Sequence, residues 1–205
     1  MKKVSLLLVV LLLAGGLSSL HAQSPDRTTF GIYANPAGFL LFGPIFGLEM
    51  IRNNFDADVH VRLPSLGLLM PYLDEIEANH TNSVSGGVGV GFGANYFTNG
   101  PDGGLYVGGM IEYWTTRFEH KASSSSSWDW YADATGLVIG ANLGYKWLFS
   151  SGLFLNLGGY LGASVGLDYD WRYKSHPGGK KSDGDTYFFG MVDLAIGVNF
   201  VNNVR

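Results

Sequence analysis

The sequence predicts an all-β fold of eight antiparallel strands running up and down, and three observations point there. Apolar residues alternate with small or polar ones at a period of two over much of the chain. No long segment has helical periodicity. The breaks between alternating segments are by turns short and long. Residues 86–94, Gly-Gly-Val-Gly-Val-Gly-Phe-Gly-Ala, show the alternation most plainly. Residues 89–94 also fit the loose form G-x-G-x-x-A. That fingerprint needs a strand before it and a helix opening after it, so that amide groups and the helix dipole meet a pyrophosphate. Here the glycines instead alternate with Val88, Val90, Phe92 and Ala94, which is the behaviour of a strand.

The first strand, 28–35, places Phe30, Ile32 and Ala34 on one face. The second, 45–51, sets Phe46, Leu48 and Met50 against Gly47 and Glu49, and Arg52-Asn53-Asn54 forms a tight turn. The third, 55–63, alternates most regularly, with Phe55, Ala57, Val59, Val61 and Leu63 opposite Asp56, Asp58, His60 and Arg62. A long connection over 64–83 follows, in which 72–79 suits a short helical turn. The fourth strand is 84–97, and 98–104 is a strong turn signal with Asn-Gly-Pro-Asp-Gly-Gly inside it. The fifth, 105–118, places Leu105, Val107, Ile111 and Tyr113 opposite Gly108, Met110, Glu112 and Trp114. The polar loop 119–127 ends in five serines and reads as an exposed linker. The sixth strand, 130–148, shows Leu137, Ile139, Ala141, Leu143, Tyr145 and Trp147 against Gly140, Asn142, Gly144 and Lys146. After a short turn the seventh, 153–170, sets leucines 153, 155, 157, 161 and 167 against Asn156, Gly158, Tyr160, Gly162 and Asp168. A hydrophilic loop, 171–185, leads to the last strand, 186–200, where Phe188, Val192, Leu194, Ile196, Val198 and Phe200 oppose Tyr187, Phe189, Met191, Asp193, Ala195 and Asn199.

The chain opens with Met1-Lys2-Lys3, an apolar run over 4–14 and small residues up to Ala22, the pattern of a secretory signal peptide. The run is shorter than the ~20 residues of a membrane-spanning helix. The expected division is a signal peptide over 1–22 and one barrel domain over 23–205. There is no cysteine, hence no disulfide and no acylation site. Without Lys2 and Lys3 the charge is 11 − 17 = −6, which with no basic cluster excludes nucleic acid as a partner. Thirty glycines would suit disorder, but 14% aromatic residues do not.

Alternation leaves open whether the apolar face points inward, as in a soluble lipocalin-like barrel, or outward to lipid. Three features favour lipid. The face opposite the apolar one is rich in glycine, and only 15% of the chain is charged, too little to cover a wet exterior. Small residues fit the cramped interior of eight strands, leaving room for bulky lumen residues such as Tyr106, Trp114, Tyr160 or Phe189. Aromatic residues gather at segment ends, as at membrane interfaces: Tyr96, Tyr145, Trp147 and Phe200 near the short turns, Tyr113, Trp130 and Trp171 near the long loops. The third feature is export. The fold class is therefore an eight-stranded antiparallel up-and-down transmembrane β-barrel. Its 1–2 connection, 36–44, is apolar (Phe39-Leu40-Leu41-Phe42), unlike the other long connections.

On these residues the chain resembles the small eight-stranded outer-membrane barrels of Gram-negative cell envelopes, the OmpX, OmpA-domain and OmpW-like group. The resemblance is architectural and covers residues 23–205. It implies an integral outer-membrane protein in contact with lipid and lipopolysaccharide, inserted by the barrel-assembly machinery and monomeric. Such proteins commonly end on the terminal aromatic that this machinery reads, whereas here Val201-Asn202-Asn203-Val204-Arg205 follows Phe200. The implied role is structural or surface-interacting, without catalysis or cofactor. The alternatives are a narrow conduit for small hydrophobic molecules and, more remotely, a lipid-modifying enzyme.

Candidate sites were weighed against bland readings. Asp56, Asp58 and His60 share a face near Glu49 and Lys146 and could form an acid–base pair. The plainer reading is a satisfied ionic network filling the lumen, with members Glu49, Asp58, His60, Arg62, Glu112, Lys146 and Asp193. His80, His120 and His176 fall in loops with serines nearby, but no serine–histidine–acid motif surrounds them. No His, Cys and Asp grouping has metal-ligand spacing, and Asp183-Gly184-Asp185 is as well explained by a polar turn as by a calcium loop. Loop aromatics, Tyr72, Trp128, Tyr131 and Tyr173 among them, suit extracellular ligands or the outer interface.

Overall fold

A computed structural model of the chain describes residues 28–40, 42–67, 81–100, 102–121, 129–174, 179–182 and 186–201. Eight strands close into one antiparallel ring: β1 (Thr28–Asn35), β2 (Ile45–Arg52), β3 (Phe55–Arg62), β4 (Thr81–Phe97), β5 (Gly103–Lys121), β6 (Trp130–Leu148), β7 (Leu153–Tyr173) and β9 (Thr186–Val201). A ninth, short strand, β8 (Gly179–Ser182), pairs with the far end of β7. Each long strand pairs with its successor, and β1 closes the ring on β9 from Thr29↔Val201 to Ala34↔Ile196. The expected signal peptide, 1–22, and helical turn, 72–79, lie outside the described residues.

The register fixes the barrel's dimensions. One hydrogen-bonded row runs Ala34, Phe46, Val61, Val90, Tyr113, Leu137, Val165, Thr186. Across the seam, however, Ala34 pairs with Ile196, so the ring closes with a stagger of 196 − 186 = 10 residues. Eight strands ~4.8 Å apart with that stagger tilt by about 40° and enclose a backbone radius of about 8 Å, an interior that side chains can fill.

The apolar faces look outward. Leu48 is 58% exposed, Val90 57%, Leu143 56% and Leu161 73%. The opposite faces are buried and mostly polar or small. Outward aromatics form two levels. Phe30, Phe55, Tyr96, Tyr145, Trp147 and Phe200 ring the short-turn rim, with Phe55 on Tyr96 (ring centroids 5.2 Å) and Tyr145 on Trp147 (4.7 Å). Tyr113 and Phe188 mark the upper level.

Most strand ends at the short turns fall where the alternation places them, although β5 begins at Gly103, inside the expected 98–104 turn; at the opposite rim β4, β5 and β7 run further. β5 continues to Lys121 and β7 to Tyr173, and the expected loop 171–185 contains the end of β7 and the whole of β8. β1, β2 and β3 have eight residues each, against 17, 19, 19 and 21 for β4 to β7. One side of the barrel thus rises as an extension of β4–β7, on which Arg117 forms an exposed bidentate pair with Asp133 (2.6 and 2.7 Å).

Candidate functional site

The interior holds a polar network instead of an apolar core. β3 supplies its spine because Asp56, Asp58, His60 and Arg62 occupy alternate, inward positions. The β2–β3 turn sets that strand's register: Asn53 takes φ +55°, a left-handed conformation that asparagine tolerates, and Asn54 donates from Nδ2 to the Phe97 carbonyl at 2.7 Å.

Three clusters make up the network. In the first, Glu112 on β5, 1% exposed, accepts Arg62 Nε–H at 2.8 and 2.9 Å and faces His60 Nε2 at 3.2 Å. The other ring nitrogen, Nδ1, meets Asp58 Oδ1 at 2.8 Å, and Tyr33 donates its hydroxyl to the same oxygen at 2.8 Å. Which partner donates at each His60 contact depends on which ring nitrogens carry hydrogen. In the second cluster Lys146 reaches across the lumen to Glu49, with its ammonium 3.9 Å from the Phe154 ring centroid and 5.8 Å from that of Phe97. The aromatic faces add a cation–π attraction to the ion pair. In the third, Asp193 accepts from Asn35 (2.7 Å), Asn156 (3.0 Å) and the Tyr106 hydroxyl (3.1 Å). Elsewhere in the lumen Asp56 accepts from Asn95 at 3.2 Å, and Asn142 donates to Asn95 at 2.8 Å.

The structure therefore brings Asp58, His60, Arg62 and Glu112 into one chain of contacts, pairs Glu49 with Lys146, and holds Asp193 with neutral donors. His60 is partnered by Asp58 and Glu112, not by Glu49 or Lys146. Sequence reasoning named Tyr106 as a lumen residue and set Asn142 and Asn156 on the inward faces, but made neither these nor Tyr33, Asn35 and Asn95 members of the network. All occupy inward positions by parity, but neutral residues carry no charge pattern to single them out.

The glycines of β4 serve neighbours other than the bulky aromatics expected. Side chains directly opposite on β3 and, at Gly89, Glu112 diagonally placed on β5 take their space. A Cβ at Gly89 would meet Glu112 Oε1 at 2.5 Å and Arg62 Cβ at 3.1 Å; at Gly91 it would collide with the His60 ring, and at Gly93 with the Asp58 carboxylate. Room for Tyr106 comes from Gly144 and Gly158, and for Trp114 from Gly136.

Of the aromatic residues singled out, Tyr96, Tyr113, Tyr145, Trp147 and Phe200 project outward, each at least 36% exposed. Trp130 and Trp171 stand apart from these two levels. They pack edge to face (centroids 6.5 Å) at the far end of the extension, in line with the buried Ala132. His120 belongs to β5 and not to a loop, while His80 and His176 lie outside the described residues. On the extension Lys174 donates to Glu119 at 2.8 Å, a bond that holds this exposed carboxyl below the usual range. Among the described residues no group of three or more His, Asp or Glu could hold a metal ion.

No protein-family model matches the chain, and no curated protein matches it. Among solved structures it is similar to the translocator domain of autotransporter NalP from Neisseria meningitidis, at 13% identity and a TM-score of 0.35, over 100% of this chain and 77% of that one.

Proposed function

We propose that this chain is an integral outer-membrane β-barrel protein whose lumen is closed by its ionic network, with a structural or surface-interaction role and no catalysis. One observation supports this above the others: the polarity of the barrel is inverted. Leu48, Val59, Leu143 and Ile196 are 51–58% exposed around the outside, whereas Glu49, Glu112, Lys146 and Asp193 are 1–5% exposed within. A continuous apolar exterior of this size is unstable in water and matched by hydrocarbon. A closed ring also leaves no open sheet edge at that depth, as lipid requires. Tyr33, Tyr106, Asn142 and the three clusters fill the bore that a conduit would need open.

The test is electrophoresis of boiled and unboiled membrane fractions, followed by reconstitution in planar bilayers. The reading expects a mobility shift on boiling, retention in the membrane after a carbonate wash, and no stepwise conductance. Release by the wash would overturn the membrane assignment. Discrete conductance steps would replace the closed barrel with the conduit. Altered envelope lipids in a deletion strain, restored by the wild-type gene, would overturn the non-catalytic reading.

A further inference from the structure

The β1–β2 connection is out of keeping with its rim. It is apolar, and two of its described side chains are exposed, Phe39 by 44% and Leu40 by 63%, joined by Leu66 at 47% on the neighbouring turn after β3. Its height in the barrel follows from the register. Along the row from Ala34 through Phe46, Val61 and Val90 to Tyr113, each step climbs about 3 Å in a barrel of this tilt and strand spacing. β1 therefore ends, at Asn35, roughly 10 Å below the upper aromatic level marked by Tyr113. Eight residues at this tilt cover about 20 Å, less than the ~25 Å apolar band of a membrane barrel. On the β1–β3 side the strands stop inside the band, and the turns take over.

Each unbonded amide in hydrocarbon is costly, and five amides of these turns are bonded within them. Leu40 N–H donates to Ala37 O (3.1 Å), Gly43 N–H to Gly38 O (2.7 Å), Leu63 N–H to Pro44 O (3.1 Å), Leu66 N–H to Leu63 O (3.1 Å) and Gly67 N–H to Pro64 O (2.9 Å). Pro36, Pro44 and Pro64 have no N–H to satisfy. Gly38 and Gly43 are buried in the stack, where a Cβ on either would strike backbone. Phe42 packs edge to face on Phe189 of β9 (6.1 Å), seven residues above Ile196, the last β9 residue paired with β1. Below the turn lies an apolar groove of about 730 Å³ on the outer surface, lined by Ile32, Phe46, Val61 and Ile196 among others.

We propose that the 36–44 turn is an intramembrane element that completes the barrel wall in the outer leaflet, with Phe39 and Leu40 packed against lipid acyl chains. This rests on the membrane reading above, and the test separates the two. The chain has no cysteine, so Leu40→Cys, Phe39→Cys, Leu143→Cys and Ser85→Cys can each carry a single environment-sensitive fluorophore. Leu143 samples the belt on the opposite side, and Ser85 the exposed extension. Each protein is refolded into phosphatidylcholine vesicles and quenched by iodide in the buffer or by phospholipid spin-labelled in mid-chain. The expected result is several-fold weaker iodide quenching at positions 39, 40 and 143 than at 85, with strong quenching by the spin-labelled lipid at those three alone. Iodide quenching at 39 and 40 equal to that at 85, with 143 still protected, would overturn this proposal alone. Iodide quenching at all four positions would overturn the membrane reading with it.

Discussion

Glu112 shows what a single interior position does. Its carboxylate is the common acceptor for Arg62 and His60, and it reaches them across Gly91, which pairs with His60 on one side and Glu112 on the other. Removing one partner of a buried ionic set strands the others, at a cost of ~3–5 kcal/mol, far more than the set adds over an apolar replacement. Glu112→Ala is therefore expected to lower folding stability by about that amount, read from the urea midpoint of refolding into vesicles. Gly91→Leu should fail by another route. Its side chain would occupy the space of the His60 ring, which is held between Asp58 and Glu112. The expected outcome is loss of the heat-shifted band on unboiled gels, with Gly86→Ala, where a Cβ meets nothing within 4 Å, as the tolerated control. Inward position could be read from alternation along one strand, but partnership could not. Whether His60 meets Glu49 or Glu112 depends on the register between three strands, and Lys146 finds Glu49 from the far side of the lumen.

At the scale of the element, the proposed membrane setting gives a strand's two faces two different surroundings, and the same substitution has opposite meanings on them. Val59 is 52% exposed at mid-belt between His60 and Asp58, which are 4% and 9% exposed. Val59→Arg places a charge against hydrocarbon and is expected to cost ~2–4 kcal/mol in the refolding midpoint. Arg117→Ser, on the extension, removes an exposed pair and should leave the midpoint unchanged. Equal effects of the two substitutions would mean that both faces meet water. The same contrast explains which strand ends were legible. At the short turns, tight-turn sequences such as Arg52-Asn53-Asn54 stop the alternation sharply, and β1 and β6 run as the pattern indicates. At the other rim the strands run on past the alternating apolar segment. Thr115, Thr116 and Arg117 are polar on both faces, and period two vanishes from the sequence while the hydrogen-bonded ladder continues to Lys121.

For the molecule as a whole, the ten-residue stagger couples tilt, bore and height. It makes the bore just wide enough for tyrosines, paired charges and the glycines that seat them. It also lifts each row as it circles, so that strands of equal length would end at different depths. The lengths are not equal, and the sum of stagger and length puts β4–β7 well above the belt while β1–β3 stop within it. Neither quantity can be read from one strand's composition, and for that reason eight strands were legible while the lopsided wall was not. The asymmetry predicts sidedness. Ser85 on the extension and Ser151 in the β6–β7 turn are both exposed, at opposite rims. On intact cells a membrane-impermeant maleimide should label Ser85→Cys and spare Ser151→Cys, and permeabilising the outer membrane should make both reactive. This follows because long strands and long connections cluster at one rim, the arrangement of barrels whose short turns face the periplasm. The reverse labelling pattern would turn the barrel over and put the apolar 36–44 turn in the inner leaflet. Labelling of both positions on intact cells would mean that the ring does not separate two compartments.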